Sequence, residues 1–329
     1  MTHPTKSSIT RGPRGTVRTI ETVDTHTLGE PTRIVLDGFP HLAGRTLAER
    51  SDDLLRRYDD LRRALMLEPR GHAMMFGAVV VPPAERGADL GLVFMDGGGA
   101  VRMCVHGTIG AVTALVETGR LKVRRDGFVN VDTPAGPVRV RVHLSGSRVS
   151  GVDLEGVASR SVATGLSAVI GGRAVSYDVA YGGNLIAIAR GEDVGIRVVA
   201  GAFRELCDAG RELKAHAQKA WPDVVSALIY SKLGPGRYRD LVVFRDFSVD
   251  RSPCGSCFAA LMAQLHSARN LRPGVWIECE NLLGLAFRGR LTERSGELVP
   301  ELSGRAFVTG EHRFRIDSRD PLRHGFQLV

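Results

Sequence analysis

Residues 103–119, which read MCVHGTIGAVTALVETG, predict a helix that begins after a cysteine. Residues 254–268, CGSCFAALMAQLHSA, repeat the arrangement behind Cys254. The chain therefore places a thiol at the start of a helix twice.

The two thiols share an expected chemistry. A thiol at a helix N-terminus lies beside unpaired N–H groups and the positive end of the helix dipole, so we expect the pKa of Cys104 and of Cys254 to be lowered towards neutrality. The same N–H groups can bind a carboxylate. If the helix starts face each other across one small molecule, one sulfur lies on each side of the carbon next to the carboxylate. This arrangement predicts proton removal on one face and return on the other, which inverts that carbon without a metal or cofactor.

The composition restricts the class of protein. The 329 residues are 43% hydrophobic and 24% charged, which is typical of a globular chain with two domains. No apolar run approaches the ~18 residues of a membrane span. Residues 1–16 lack the apolar core of a signal peptide and predict a disordered tail on a cytoplasmic protein. The net charge of +8 is spread along the chain without a Lys/Arg block, so we expect neither a nucleic acid nor a membrane as partner.

The five cysteines, in a chain without a secretion signal, predict reduced thiols rather than a disulfide framework. We expect Cys207 and Cys279 to be small buried residues. Cys254 and Cys257 form one C-x-x-C pair. A single pair is weak support for zinc, so no metal site is predicted, and an oxidisable pair stays open as an alternative.

The order of elements predicts an internal duplication. Glycine-containing turns at Gly29 and Gly183 precede the two cysteine-led helices at nearly equal distances. A first lobe is predicted at 17–160 together with 296–329, a second at 161–295, and a site at the junction of the copies. Helices are predicted at 49–67, 107–118, 201–218 and 255–268, and strands at 17–36 (two, broken at LGEP), 78–81, 91–95, 128–132, 137–143, 174–190, 224–230, 240–245, 275–279 and 285–291, with one more in the tail at 307–329.

Six motifs, taken together, resemble the proline racemase superfamily, which includes 4-hydroxyproline 2-epimerases and trans-3-hydroxyproline dehydratases. They are DTHTLGEPTRIV (24–35), RGHAMMFGAVVVPP (70–83), MCVHGTIGA (103–111), YGGNLIAIA (181–189), DRSPCGS (250–256) and DPLRHGF (320–326). The resemblance covers residues 17–328. It implies an α/β (α+β) fold of two pseudo-symmetric lobes of the diaminopimelate epimerase type, each a sheet wrapped round a central helix. It also implies a site between the lobes and a homodimer.

The same resemblance implies roles for eight residues: Cys104 and Cys254 in proton transfer, and Val105, His106, Asp250, Trp221, Gly255 and Ser256 in substrate binding. Asp250 and His106 would lie near the ring nitrogen of the substrate. Trp221 stands with Pro222 where the family has a His-Pro pair. The implied reaction needs neither a metal nor a cofactor.

We therefore expect epimerisation or racemisation at the α-carbon of a proline-type amino acid, with 4-hydroxyproline as the first candidate and proline as the second. Dehydratase members replace one of the two cysteines with Ser or Thr, so cysteine at both positions favours inversion over loss of water. A further alternative is a paralogue that binds a small carboxylate without turnover. It rests on Val105, where the family usually has Gly, and on Cys257 and Phe258, which we expect to crowd the second helix start.

Overall fold

The structure, a computed structural model, describes residues 16–244 and 248–328. It is a mixed α+β fold that is rich in strands and has few helices. The predicted tail at 1–16 lies, apart from Thr16, outside the described residues. Across the described ranges, no helix combines the length and apolar character that crossing a membrane requires.

Strands account for most of the regular structure. They are β1 (Val17–Thr27), β2 (Glu30–Asp37), β3 (Phe76–Val81), β4 (Leu90–Asp96), β5 (Gly99–Val101), β6 (Phe128–Thr133), β7 (Gly136–Ser145), β8 (Arg148–Glu155), β9 (Arg160–Ile170), β10 (Arg173–Tyr181), β11 (Leu185–Arg190), β12 (Val224–Gly234), β13 (Arg237–Val243), β14 (Ile277–Glu280), β15 (Ala286–Arg294), β16 (Glu297–Gly304) and β17 (Ala306–Asp317).

The helices agree with the sequence patterns. They are α1 (Leu47–Met66), α2 (Val105–Glu117), the single turn α3 (Gly191–Val194), α4 (Phe203–Ala217) and α5 (Gly255–Ser267), with a 3-10 turn at Ala200–Ala202. The four predicted helices correspond to α1, α2, α4 and α5. Strands β5, β8, β9 and β16 were not predicted. In β9 most side chains are exposed or half-buried, so the strand carries little of the apolar pattern that reveals a strand in sequence.

The strand pairings repeat along the chain. Neighbours in the series β1, β2, β3, β4, β6, β7, β8 pair in the order antiparallel, parallel, antiparallel, parallel, antiparallel, antiparallel. The series β10 to β16 pairs in the same order. At the start of each series one more antiparallel strand is added, which is β17 on β1 and β9 on β10. Strands β8 and β16 pair with each other and join the two series.

The two cysteine-led helices occupy equivalent places in these series. Helix α2 packs on β1, β2, β8 and β17, and α5 packs on β9, β10, β15 and β16. Each packs closely through a glycine. A Cβ on Gly110 of α2 would lie 2.6 Å from Oγ1 of Thr25, and a Cβ on Gly182, before β11, would lie 2.2 Å from the carbonyl oxygen of Ser256 in α5. Both helices contribute to the same buried apolar cluster, and their N-terminal ends meet where Val105 faces Gly255.

Candidate active site

Cys104 is the N-cap of α2. Its backbone is extended, with φ −147° and ψ 117°, and its Sγ accepts a hydrogen bond from the backbone N–H of Gly107 at 3.2 Å. A Cβ on Gly107 would lie 3.1 Å from that sulfur and 3.1 Å from the Phe76 ring, so the position has little room for a side chain. The sulfur is thus held in place by the first turn of the helix.

His106 lies against the same sulfur. Its Nδ1 is 3.3 Å from the Sγ of Cys104, and its ring meets the Phe76 ring edge to face with centroids 4.6 Å apart. Its carbonyl oxygen accepts a hydrogen bond from Thr27 Oγ1 at 2.8 Å. Burial lowers the pKa of His106 to about 3, so the imidazole is neutral at pH 7.

Cys254 stands before α5 in a different conformation. Its φ is +23°, which is rare for a residue with a side chain, and its thiol makes no capping hydrogen bond to the helix. The Sγ lies 3.5 Å from the hydroxyl oxygen of Ser256. Backbone strain at a cysteine that borders a cavity is a feature that clusters at functional sites.

The acidity predicted for the two thiols is wrong in direction. Burial raises the pKa of Cys104 well above its ordinary value, although the Gly107 N–H opposes this shift. The pKa of Cys254 is also raised, first by its hydrogen bond with the Cys257 thiol and then by burial. The free-energy cost of removing a thiolate from water exceeds the stabilisation that the helix N-terminus gives to its negative charge. Both thiols are therefore protonated at neutral pH.

Two acidic side chains border the thiols. Burial raises the pKa of Asp250 to about 6, against a lowering by the Cys254 hydrogen bond and the Arg251 charge. Glu30, at the start of β2, has its pKa raised well above the ordinary value by burial and by the negative charge of Asp250. The sequence analysis missed Glu30. Its one signal was an acidic residue inside the LGEP turn, at the start of a predicted strand.

One cavity of about 50 Å³ brings these groups together. Its wall contains seven of the eight predicted residues, namely Cys104, Val105, His106, Asp250, Cys254, Gly255 and Ser256. Glu30 and Asp96 add further carboxylates, and Met74, Met75 and Phe76 form an apolar side. A cavity with an apolar side and a few convergent polar groups suits a small molecule that carries both a ring and charges.

Trp221 is the predicted residue that the structure does not bring to this cavity. Its backbone N–H donates to the Ala217 carbonyl at the end of α4, and its half-buried side chain packs on the second apolar cluster, around α4. The neighbouring Pro222 borders a separate depression. Trp221 thus belongs to the turn that follows the C-terminal end of α4, and not to the cavity wall.

Val105 and Gly255 are in direct contact where the two helices begin. A Cβ on Gly255 would lie 2.3 Å from the Cβ of Val105 and 2.6 Å from each of its γ carbons. The Val105 side chain therefore fills the gap between the helix starts, and only glycine fits opposite it. The sequence analysis named both residues but not their contact.

Cys257 and Phe258 do not crowd the cavity. Both are fully buried in the apolar cluster, and neither belongs to the cavity wall. The Sγ of Cys257 lies 3.7 Å from the Ser226 hydroxyl. All five cysteines are buried free thiols. Within the described part of the chain, no three His, Cys, Asp or Glu side chains are grouped as metal ligands.

The comparisons with known proteins agree with one another. A family model described as proline racemase matches residues 22–327. The chain is 36% identical to a proline racemase of Clostridioides difficile, over 94% of this chain and 98% of that protein. It is 35% identical to a 4-hydroxyproline 2-epimerase of Shewanella loihica, over 93% and 98%. A crystal structure of a hydroxyproline epimerase from Agrobacterium vitis, with bound trans-4-hydroxy-L-proline, superposes with a TM-score of 0.89 at 26% identity and covers 96% of each chain.

Proposed function

The chain belongs to the proline racemase family and is a racemase or epimerase, an isomerase, and from this premise we propose that it inverts the α-carbon of a proline-type amino acid between two thiols. The observation that carries the proposal is that Cys104 and Cys254, each at the start of a helix, border one cavity. 4-Hydroxyproline is the first candidate substrate, since the hydroxyproline epimerase of Agrobacterium vitis holds trans-4-hydroxy-L-proline, and proline is the second; relatives of both kinds are about equally similar to this chain.

The proposed reaction moves one proton at each face of the substrate. One cysteine, as its thiolate, takes the α-hydrogen as a proton, and the electron pair of the C–H bond remains on the carbon and its carboxylate. The other cysteine, as its thiol, then gives its proton to the opposite face. The carbon is inverted, and the thiol and thiolate have exchanged places. A single base would return the proton to the face from which it came.

The surrounding groups supply the charges that this reaction needs. Unpaired N–H groups at the starts of α2 and α5 stabilise the negative charge that builds up on the carboxylate. Asp250 is suited to pair with a positively charged ring nitrogen, since its pKa of about 6 leaves it mostly ionised at pH 7. The neutral imidazole of His106 can accept a hydrogen bond from that nitrogen or from the Cys104 thiol.

We also propose the two-lobe division. The repeated pairing order and the equivalent places of α2 and α5 support two lobes that each pack on one cysteine-led helix. The start of β9 at Arg160 supports a boundary near residue 160. Because β16 continues the second series of pairings, the other boundary fits better after Gly304 than at residue 295. The homodimer and the cytoplasmic location stay predictions.

The test is inversion in heavy water. Purified protein is incubated with trans-4-hydroxy-L-proline, and separately with L-proline, and the products are followed by proton NMR and by chromatography that separates stereoisomers. The proposal expects a new stereoisomer that carries deuterium at the α-carbon. A separate incubation with trans-3-hydroxy-L-proline tests the dehydratase alternative. Loss of water from this compound, giving a cyclic imine, would identify a dehydratase instead.

Cysteine variants give this test its control. Cys104→Ser and Cys254→Ser are each expected to reduce inversion by at least about 10²-fold, because serine is far less acidic than cysteine. Cys207→Ser is the matched control, since Cys207 lies in the apolar cluster around α4 and outside the cavity. Inversion at the parent rate in both Cys104→Ser and Cys254→Ser would refute the two-thiol assignment.

The second candidate is a protein that binds the substrate without turnover. It is favoured by the side chain of Val105 between the helix starts and by the raised pKa of both thiols. Thermal stabilisation by pyrrole-2-carboxylate, together with no deuterium incorporation from any proline derivative, would establish this candidate in place of the first.

A further inference from the structure

The loop that leads to Cys254 is fixed by side chains from distant parts of the chain. The backbone N–H of Arg251 donates to the carboxylate of Glu30, and the carbonyl oxygen of Arg251 accepts a hydrogen bond from Asn281 Nδ2 at 2.6 Å. Both backbone polar groups of this residue are thus held from outside the loop. One partner opens β2, and the other follows β14.

Asn281 joins three segments through one buried amide. Its Nδ2 also donates to the carbonyl oxygen of Leu28 at 2.9 Å, while its Oδ1 accepts from the backbone N–H groups of Leu283 and Leu285, each at 2.9 Å. The side chain is 4% exposed. Every polar group of the amide therefore has a partner, and its removal leaves buried backbone groups unpaired.

Gly29 permits the close approach of these segments. Its φ is +103°, and a Cβ there would lie 3.2 Å from the carbonyl oxygen of Arg251. The turn that contains Gly29 follows Thr27, whose hydroxyl donates to the carbonyl oxygen of His106 beside Cys104. A series of contacts thus runs from the loop before Cys254, through the turn between β1 and β2, to the first turn of α2.

We propose that Asn281, together with Glu30, is a positioning residue that fixes the loop carrying Asp250 and Cys254 relative to Cys104. The inference rests on the proposed function. Proton transfer between two thiols and one carbon requires both sulfurs at the right distance, and a displacement of about 1 Å costs on the order of 10²-fold in rate. The Cys104 sulfur is also held by the Gly107 N–H of its own helix, so loss of the Asn281 amide displaces the Cys254 side more than the Cys104 side.

This asymmetry gives a measurable signature. When transfer at Cys254 becomes slow, that step alone limits inversion in both directions. For the stereoisomer whose α-hydrogen goes to Cys254, the primary isotope effect of α-deuterium on kcat/KM rises. For the other stereoisomer, whose α-hydrogen goes to Cys104, it falls towards the equilibrium isotope effect of that transfer, because the slow step no longer moves the labelled hydrogen. A variant that is merely less folded has fewer active molecules, and both isotope effects stay at the parent values.

The experiment compares Asn281→Ala with the parent, using α-deuterated and unlabelled forms of both stereoisomers of the substrate on which the parent is active. We expect inversion to fall by about 10²-fold, with isotope effects that change in opposite directions. Asn281→Asp is the second variant, because it keeps the acceptor for Leu283 and Leu285 but loses both donated bonds. The matched control is Asn130→Ala, which removes a hydrogen bond to the Gly87 carbonyl far from the cavity.

The outcomes are distinct. Unchanged isotope effects in a slower Asn281→Asp protein, or inversion within about twofold of the parent in either folded Asn281 variant, would overturn the positioning role. A parent protein that neither inverts nor exchanges any proline derivative would overturn the proposed function and this inference with it. Opposite shifts in the two Asn281 variants, absent from Asn130→Ala, support the role.

Discussion

Substitution of Gly255 by alanine tests the contact between the two helix starts. Gly255 is the first residue of α5 and has no left-handed backbone, so alanine is acceptable there on conformational grounds. Alanine even favours a helix by about 0.5–1 kcal/mol relative to glycine. Any destabilisation by Gly255→Ala therefore comes from what the new methyl group meets, which is Val105.

The magnitude follows from the distances. The new Cβ would lie 2.3 Å from the Val105 Cβ, whereas ordinary van der Waals contacts begin at 3.4 Å, so the helix starts must move apart by about 1 Å or Val105 must be displaced. Overpacking of this kind costs about 1–3 kcal/mol. In a Val105→Gly background the obstacle is gone, and Gly255→Ala becomes neutral or slightly stabilising. We expect a coupling energy of about 2 kcal/mol between the two positions.

The assay is a double-mutant cycle. Urea unfolding of the parent, the two single variants and the double variant, followed by the fluorescence of the two tryptophans, gives four free energies of unfolding. A coupling below about 0.5 kcal/mol, with equal denaturant slopes in all four proteins, would refute the contact. The same proteins test the role of Val105 in the cavity: Val105→Gly should bind larger ring substituents than the parent.

Three further predictions concern acidity and backbone strain. Below a pH of about 6, log kcat/KM should fall more steeply with falling pH than it does just above that pH, because the Asp250 carboxylate, whose pKa is raised to about 6, becomes protonated there. Asp250→Asn should remove this added steepness, and added steepness that persists in Asp250→Asn contradicts the assignment. The same profile should rise above pH ~8.5, because burial raises the pKa of Cys104 above that of an ordinary thiol and the thiolate forms only in alkaline solution; a plateau that begins at neutral pH contradicts this. Cys254→Gly should relieve the backbone strain of a residue with φ +23°, whereas Cys104→Gly should remove the N-cap of α2. In urea unfolding we therefore expect the Cys254→Gly protein to be more stable than the Cys104→Gly protein by about 1 kcal/mol or more. Equal stabilities would contradict the strain at Cys254.

Local sequence patterns sufficed for the helices and for the two thiols, and the family resemblance added five further residues of the cavity wall. Cys104 and Cys254 each precede an apolar run of helical length, and this pattern depends only on neighbouring residues. The residues next to them in sequence reach the same cavity because a helix start exposes its first turn as a unit. Asp250 is carried into the cavity by the short loop before α5.

Other features depend on tertiary contacts and could not be predicted. The raised thiol pKa reflects how much protein surrounds each sulfur, which no local pattern encodes. Val105 meets Gly255 across a large separation in sequence, and Asn281 meets Arg251 from the loop after β14. Trp221 was assigned by its place in a motif, but the fold uses that segment to end α4.

The neighbours of β1 have a consequence for how the chain matures on the ribosome. β1 opens the described sequence, yet one of its two neighbours is β17, close to the other end of the described residues. The stretch from β9 to β16 can complete its own ladder as soon as it emerges, whereas β1 keeps an open edge until β17 has been synthesised. Nascent chains interrupted before residue 306 should therefore expose an edge that attracts other strands and should depend on chaperones for solubility.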